Sequence, residues 1–224
     1  MRLIFFTILF VTALNCQSQN VINNLGDLKS FMNGKQVVDG DVYGKVEGSP
    51  YFTDDFQNSE VILQNNRFLK VKMRYDLYKD EVQYISDKDE ILIVNLNKVK
   101  IESILIGENK FVYKAYAEGK KIKSGLLEIL VDGHVQFLKR YEISLKEAKP
   151  SNGYQPSEPS RFSSIKTKWY CSVNGKVAVV LKNKKEANKY LLTNVKGYKN
   201  KQKVKSWEDL MAEIESFNSE KELK

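Results

Sequence analysis

Between residues 59 and 145 the chain carries eight short apolar-polar segments at a spacing of roughly ten residues, with no helical period between them. They read SEVIL, FLKVKMRY, EVQYI, EILIV, KVKIESILI, KFVYKAYAEG, KIKSGLLEILV and HVQFLKRYEISL. Their separators are turn formers, among them Gln64-Asn65-Asn66, Gly107-Glu108-Asn109, Gly119-Lys120 and Asp132-Gly133. Strands that lack crossover helices pair antiparallel, so the spacing excludes a parallel βαβ sheet and predicts a mainly β chain with minor α. Phe68, Lys70, Lys72 and Arg74 alternate with Leu69, Val71, Met73 and Tyr75. One face is therefore buried and the other wet. A sheet this wide must hide an apolar face and its edges. The expectation is an antiparallel meander forming a curled sheet or partial barrel, or one covered by another element.

The segment 147–160 (EAKPSNGYQPSEPS) holds three of the four prolines and reads as a loop. Beyond it, Asn174-Gly175 joins two apolar runs as a β-hairpin. Two short helices are expected after the hairpin, over 184–192 and 206–217. The second opens with Ser206 and Asp209, an acidic form of the capping box, and carries Trp207, Leu210, Met211, Ile214 and Phe217 as an apolar stripe. Residues 23–33 predict another short amphipathic helix, and no repeat of solenoid period is present.

The first residues give an address. Met1-Arg2 is a positive start, and 3–14 (LIFFTILFVTAL) is too short for a membrane-spanning helix but fits the apolar region of a signal peptide. Cleavage after Ser18 would leave Gln19 as the mature end, with no transmembrane span in the mature chain. Cys16 offers an alternative, lipidation as the first residue of a lipoprotein, although Leu14 and Asn15 stand where small residues are usual. Either way Cys171 is the only cysteine left in the body, so no internal disulfide forms. The expected organisation is 1–18 signal peptide, 19–145 meander, 146–160 proline-rich loop and 161–224 hairpin plus lysine-rich helical portion, packed on the same body. The location is the periplasm or the exterior.

The formal net charge is +8, and the excess is concentrated in 182–205, where nine lysines face one acid, Glu186. The stretch has no arginine and only Tyr190 and Tyr198 as aromatics, which argues against nucleic acid. An envelope lipid, an anionic polysaccharide or a protein partner fits better, with Lys184, Lys185, Lys199, Lys201 and Lys203 as candidate contacts. A solvated face without a partner explains the same lysines. The first third is rich in aromatics, and Tyr51, Tyr75, Tyr78 and Tyr84 are candidates for a ligand-binding face. Core packing and cross-strand pairing explain them equally.

Catalytic signatures are scarce. The single histidine, His134, follows a turn, and no Gly-x-Ser-x-Gly elbow exists to supply a serine nucleophile. One His and one internal Cys cannot close a zinc shell, and no Asp-x-Asp-x-Asp-Gly calcium loop is present. No metal and no cofactor is expected. Asp76, Asp80, Glu81, Asp87 and Asp89 remain the carboxylates from which a hydrolytic pair could be drawn.

Three stretches carry a resemblance: Gly48-Ser49-Pro50-Tyr51, then 71–83 (VKMRYDLYKDEVQ), then 126–141 (LLEILVDGHVQFLKRY). Together they resemble a family of exported, uncharacterised β-rich proteins of Bacteroidota. His134 stands where that family usually has Lys. The resemblance implies an exported β-rich protein and supplies no catalytic residue. The function expected is non-enzymatic binding of an apolar or anionic envelope component or of a partner protein. A carboxylate-based hydrolase of polysaccharide or peptide and a structural or adhesion subunit are the alternatives.

Overall fold

In the computed structural model the described residues are 35–36, 43–44, 46–63, 68–96, 101–151, 153–154, 156–200 and 203–222. The signal-peptide segment, Cys16, the helix expected over 23–33, the Gln64-Asn65-Asn66 turn and Lys201 lie outside them. The strands are β1 (Lys35–Gln36), β2 (Gln57–Leu63), β3 (Phe68–Asp76), β4 (Glu81–Ile85), β5 (Ile91–Ile93), β6 (Ile101–Ile106) and β7 (Asn109–Glu118). They continue as β8 (Lys121–Val131), β9 (Val135–Glu142), β10 (Leu145–Lys146), β11 (Arg161–Phe162), β12 (Lys166–Val173) and β13 (Val179–Leu181). Two helices follow, α1 (Lys184–Asn194) and α2 (Trp207–Glu222). No described helix is long and apolar enough to cross a membrane.

Eleven strands form one antiparallel sheet in the order β1-β5-β4-β3-β2-β6-β7-β8-β9-β12-β13, while β10 and β11 make a separate ribbon under the proline-rich loop. The order departs from a simple meander at one point. After β5 the chain returns to the far side of β2, so Val61 pairs with Ile104. The other side of β5 is taken by β1, which leaves β2 as the free edge for β6. Across the proline-rich loop the sheet is continuous, because β12 lies on β9 from Lys166↔Glu142 to Val173↔Val135.

The sheet as a whole does not close into a barrel. It bends in opposite directions at its two ends. Over β2 to β6 the inward residues, including Val61, Leu69, Met73, Val82, Leu92 and Ile104, meet Phe111, Leu126 and Tyr141 from β7, β8 and β9, with Phe52 packed among them. At the other end the opposite face is concave. Tyr116, Leu127, Leu138 and Tyr170 meet there, and Ala178 closes the curl by exchanging backbone hydrogen bonds with β7, to Ala115 O and from Ala117 N. The convex side of this second curl is covered by the helices. Phe137, Cys171 and Leu181 of the sheet pack with Ala187 and Leu191 of α1 and with Leu210, Ile214 and Phe217 of α2. Two opposite curvatures thus bury both faces of one sheet in different places.

Local signals explain the joints. The Asn174-Gly175 turn has both residues at positive φ, 53° and 70°, as a tight hairpin matched to strand twist requires. The α2 cap forms as its sequence implies: the Asp209 amide donates to Ser206 Oγ, and the Asp209 carboxylate accepts from the Lys205 and Ser206 amides. The helix is docked by more than its apolar stripe. Asn218 reaches into the β8–β9 turn, where its amide donates to Asp132 O and Val135 O and its Oδ1 accepts from the Val135 amide.

Replacing Asn218 by Ala leaves the buried Val135 amide without a partner. It should lower unfolding free energy by about 1–3 kcal/mol, readable as a lower urea midpoint with an unchanged slope.

Candidate functional site

Three places on the described surface bear chemistry: the cluster around Arg140, the aromatic group around Tyr43, and the lysine-rich segment of α1. The first is built where β8 and β9 part. Their ladder runs only from Glu128↔Lys139 to Val131↔Phe137, so 125–127 lack β9 partners. Arg140 fills the gap. Its guanidinium donates to Leu126 O at 3.2 Å and forks onto the Asp80 carboxylate at 3.3 and 3.0 Å.

Asp80 itself sits at φ +57° in the β3–β4 turn and also accepts from the Tyr75 hydroxyl. Burial, reinforced by the adjacent Asp80 carboxylate, holds the Tyr75 phenol far above its ordinary pKa. The Arg140 guanidinium lies over the Tyr116 ring, 4.7 Å from its centroid. Gly125 makes the arrangement fit: a Cβ there would stand 2.5 Å from both Arg140 Nη1 and Asp80 Oδ2. Around this pair runs a second set of ions. Glu118 of β7 binds Lys123 of β8 and Lys168 of β12, and Lys168 also reaches Glu142 at 2.9 Å. Hydrogen bonds from Lys123 and then Lys168 depress the Glu118 pKa from 4.5 to about 2. The charges pair with one another across strands, although Arg140 Nε stands 3.9 Å from Glu142 without a hydrogen bond, and the cluster staples strands together.

Of the carboxylates considered for hydrolysis, Asp76 and Glu81 are cross-strand partners beside the β3–β4 turn, while the others are held in separate roles. Asp76 is buried; it accepts from the Tyr43 hydroxyl and from the Tyr78 and Lys79 amides, which makes it the cap of its turn. Asp80 is committed to Arg140. Asp87 and Asp89 are exposed on the β4–β5 turn, and Glu81 is half-buried at the start of β4. Among the described residues no three His, Cys, Asp or Glu side chains come together as a metal site would require. His134 packs its ring against Phe217 of α2 at 6.0 Å, and burial pushes the Cys171 thiol up to about 12, leaving it unreactive.

Of the four candidate tyrosines, Tyr75 and Tyr84 are 1% and 0% exposed and belong to the core. Alternation placed them on the inward face, so they offer no ring to a ligand outside. Tyr51 is half-buried under the Arg74 guanidinium, which lies 3.8 Å from its centroid, with Phe56 also 4.5 Å from the guanidinium. Only Tyr78 is well exposed, at 43%, with its ring set edgewise against Tyr43 and Phe162. These four do not form one face. A trough of about 570 Å³ lies elsewhere, over β2, β3 and β6, and it is open, lined by Asn58, Ser59, Lys72 and Leu105 with the Lys70–Glu60 pair along it.

The lysines behave differently. Lys182, Lys184, Lys185, Lys189, Lys196, Lys199, Lys203 and Lys205 are all exposed, and among the described residues none pairs with a carboxylate. The ammonium of Lys184 donates to Lys205 O at 2.6 Å, which brings the start of α1 beside the approach to α2. Lysines far apart in sequence therefore share one surface. Candidates Lys184, Lys185 and Lys203 belong to this region, and Lys199 stands on the loop between the helices.

Gly125→Ala should overpack the Arg140–Asp80 contact and cost about 1–3 kcal/mol in denaturant unfolding. Because the Glu118 carboxyl is more acidic folded than unfolded, its pairing stabilises the fold above the ordinary carboxylate range. That contribution is lost as the pH falls from 4.5 to about 2. Glu118→Gln should therefore lower stability at neutral pH and show a shallower decline over that window, measured by thermal unfolding at stepped pH.

Comparison of the chain with family models, with curated proteins and with solved structures returns no match.

Proposed function

We propose that the chain is exported to the bacterial envelope and binds an anionic component there without catalysing a reaction. The observation that carries this reading is the set of eight exposed lysines on 182–205 with no carboxylate partner among the described residues. Like charges without a carboxylate partner repel one another, so a counter-charge from outside is the interaction that offsets their cost. The sequence pattern of residues 1–18 supports export. Burial of Tyr75 and Tyr84 removes half of the aromatic face on which an apolar ligand would depend. Asp76 caps its turn, Asp80 is paired with Arg140, and Asp87 and Asp89 are exposed on the β4–β5 turn, which speaks against a carboxylate-based hydrolase.

Sequencing of the protein recovered from a cell-envelope or culture fraction should find Gln19 at its N-terminus, or an acylated Cys16. Recovery of the intact chain in the cytoplasm would remove the export part. On a sulfated polyanion resin, Lys185→Glu with Lys199→Glu and Lys203→Glu should elute at clearly lower salt than the parent, with unchanged thermal stability, because all three are exposed and Lys184, which holds Lys205 O, is left in place. The control is the same reversal at the exposed Lys72, Lys120 and Lys121. If both triples shift elution equally, net charge alone governs binding and the proposed face has no role.

A further inference from the structure

The outward side of α1 has a pattern that the anionic reading alone does not use. Ala187 and Leu191 point into the helix–sheet core. Lys185, Lys189 and Leu192 follow at i, i+4 and i+7 and lie on the opposite side. Leu192 is 49% exposed, an isolated large apolar side chain between lysines on a convex helix surface. A linear polyanion would be met by a groove with lysines along its walls and would have no use for Leu192. A flat anionic bilayer meets the whole side at once, with ammonium groups at the phosphates and the leucine below them.

Resting on the anionic-binding reading above, we propose that the partner is the surface of an anionic lipid bilayer. In this arrangement α1 lies in the membrane plane, Lys185 and Lys189 contact headgroup phosphates, and Leu192 enters the boundary between headgroups and acyl chains. Lys184, through its hydrogen bond to Lys205 O, brings the approach to α2 beside this helix and adds to the positive surface. The apolar contribution of one leucine is small, so the lysines dominate affinity and salt screens it.

The test uses the full chain with Cys16→Ser and Leu192→Cys, labelled at position 192 with a polarity-sensitive fluorophore. Cys171 is fully buried with a thiol pKa near 12 and escapes labelling in the native protein. The dye reports on α1 itself, whether or not the N-terminal apolar segment also enters the bilayer. Vesicles containing phosphatidylglycerol should give a blue-shifted emission that salt reverses, and pure phosphatidylcholine vesicles should give none. Lys185→Gln with Lys189→Gln should raise the lipid concentration needed for half of the shift by roughly fivefold per lysine lost. Salt-sensitive binding to dextran sulfate with no dye shift on anionic vesicles would overturn the bilayer proposal and leave the anionic reading standing. Binding to neither would overturn both.

Discussion

The ion pair between Arg140 and Asp80 sits where one sheet changes the direction of its curvature. On one side the β2 to β6 strands bend over Phe111 and Tyr141, and on the other β7 to β13 bend over Tyr116 and Tyr170. An inflection of this kind opens the ladder between β8 and β9, and the freed backbone must be satisfied. Arg140 does this by donating to Leu126 O while its other edge holds the β3–β4 turn. The two curls are tied by one guanidinium. Its desolvation is offset because donors and carboxylate oxygens match in a fork, the phenol of Tyr75 takes a further lone pair, and Gly125 leaves the space.

Charge is apportioned between body and tail by the same logic. On the sheet, lysines find carboxylates across strands: Lys70 with Glu60, Lys110 with Asp132, Lys123 and Lys168 with Glu118. These pairs order the surface, and each contributes modestly in water. From Lys182 onward the pattern stops, although α2 brings Glu208 and Asp209 close in sequence to Lys205. Asp209 is spent on capping its own helix. The segment is therefore positive by composition, nine lysines against Glu186, and no ion pair among the described residues offsets it.

Much of this architecture was legible in the residues. Period-two alternation in 68–75 set Leu69, Val71, Met73 and Tyr75 on one face, which the structure buries; Asn174-Gly175 located the last hairpin, and Ser206 with Asp209 located the second helix. The return of β6 to β2 was not legible, because strand pairing across intervening hairpins leaves no local signature. Arg140 and Gly125 were also missed. A lone arginine in a strand and a lone glycine in another acquire meaning only when the splayed ladder brings them together. The aromatic face misled in part: the alternation that predicted a β-strand also required Tyr75 to point inward, and Tyr84 is buried opposite Met73 in the adjoining strand. The lysine segment was visible as composition, but its unity depended on the Lys184–Lys205 contact.

The pairing of β2 with β6 bears on how the chain acquires its shape. The hairpins β2–β3, β3–β4 and β4–β5 are local, whereas the Val61↔Ile104 seam joins residues far apart in the chain. Closing a loop of that length costs entropy before any contact repays it, and nonlocal sheets fold slowly for this reason. On the export reading the delay is useful. A chain whose central seam closes late would stay threadable through a translocation channel, and on that reading the full sheet would be completed only on the far side.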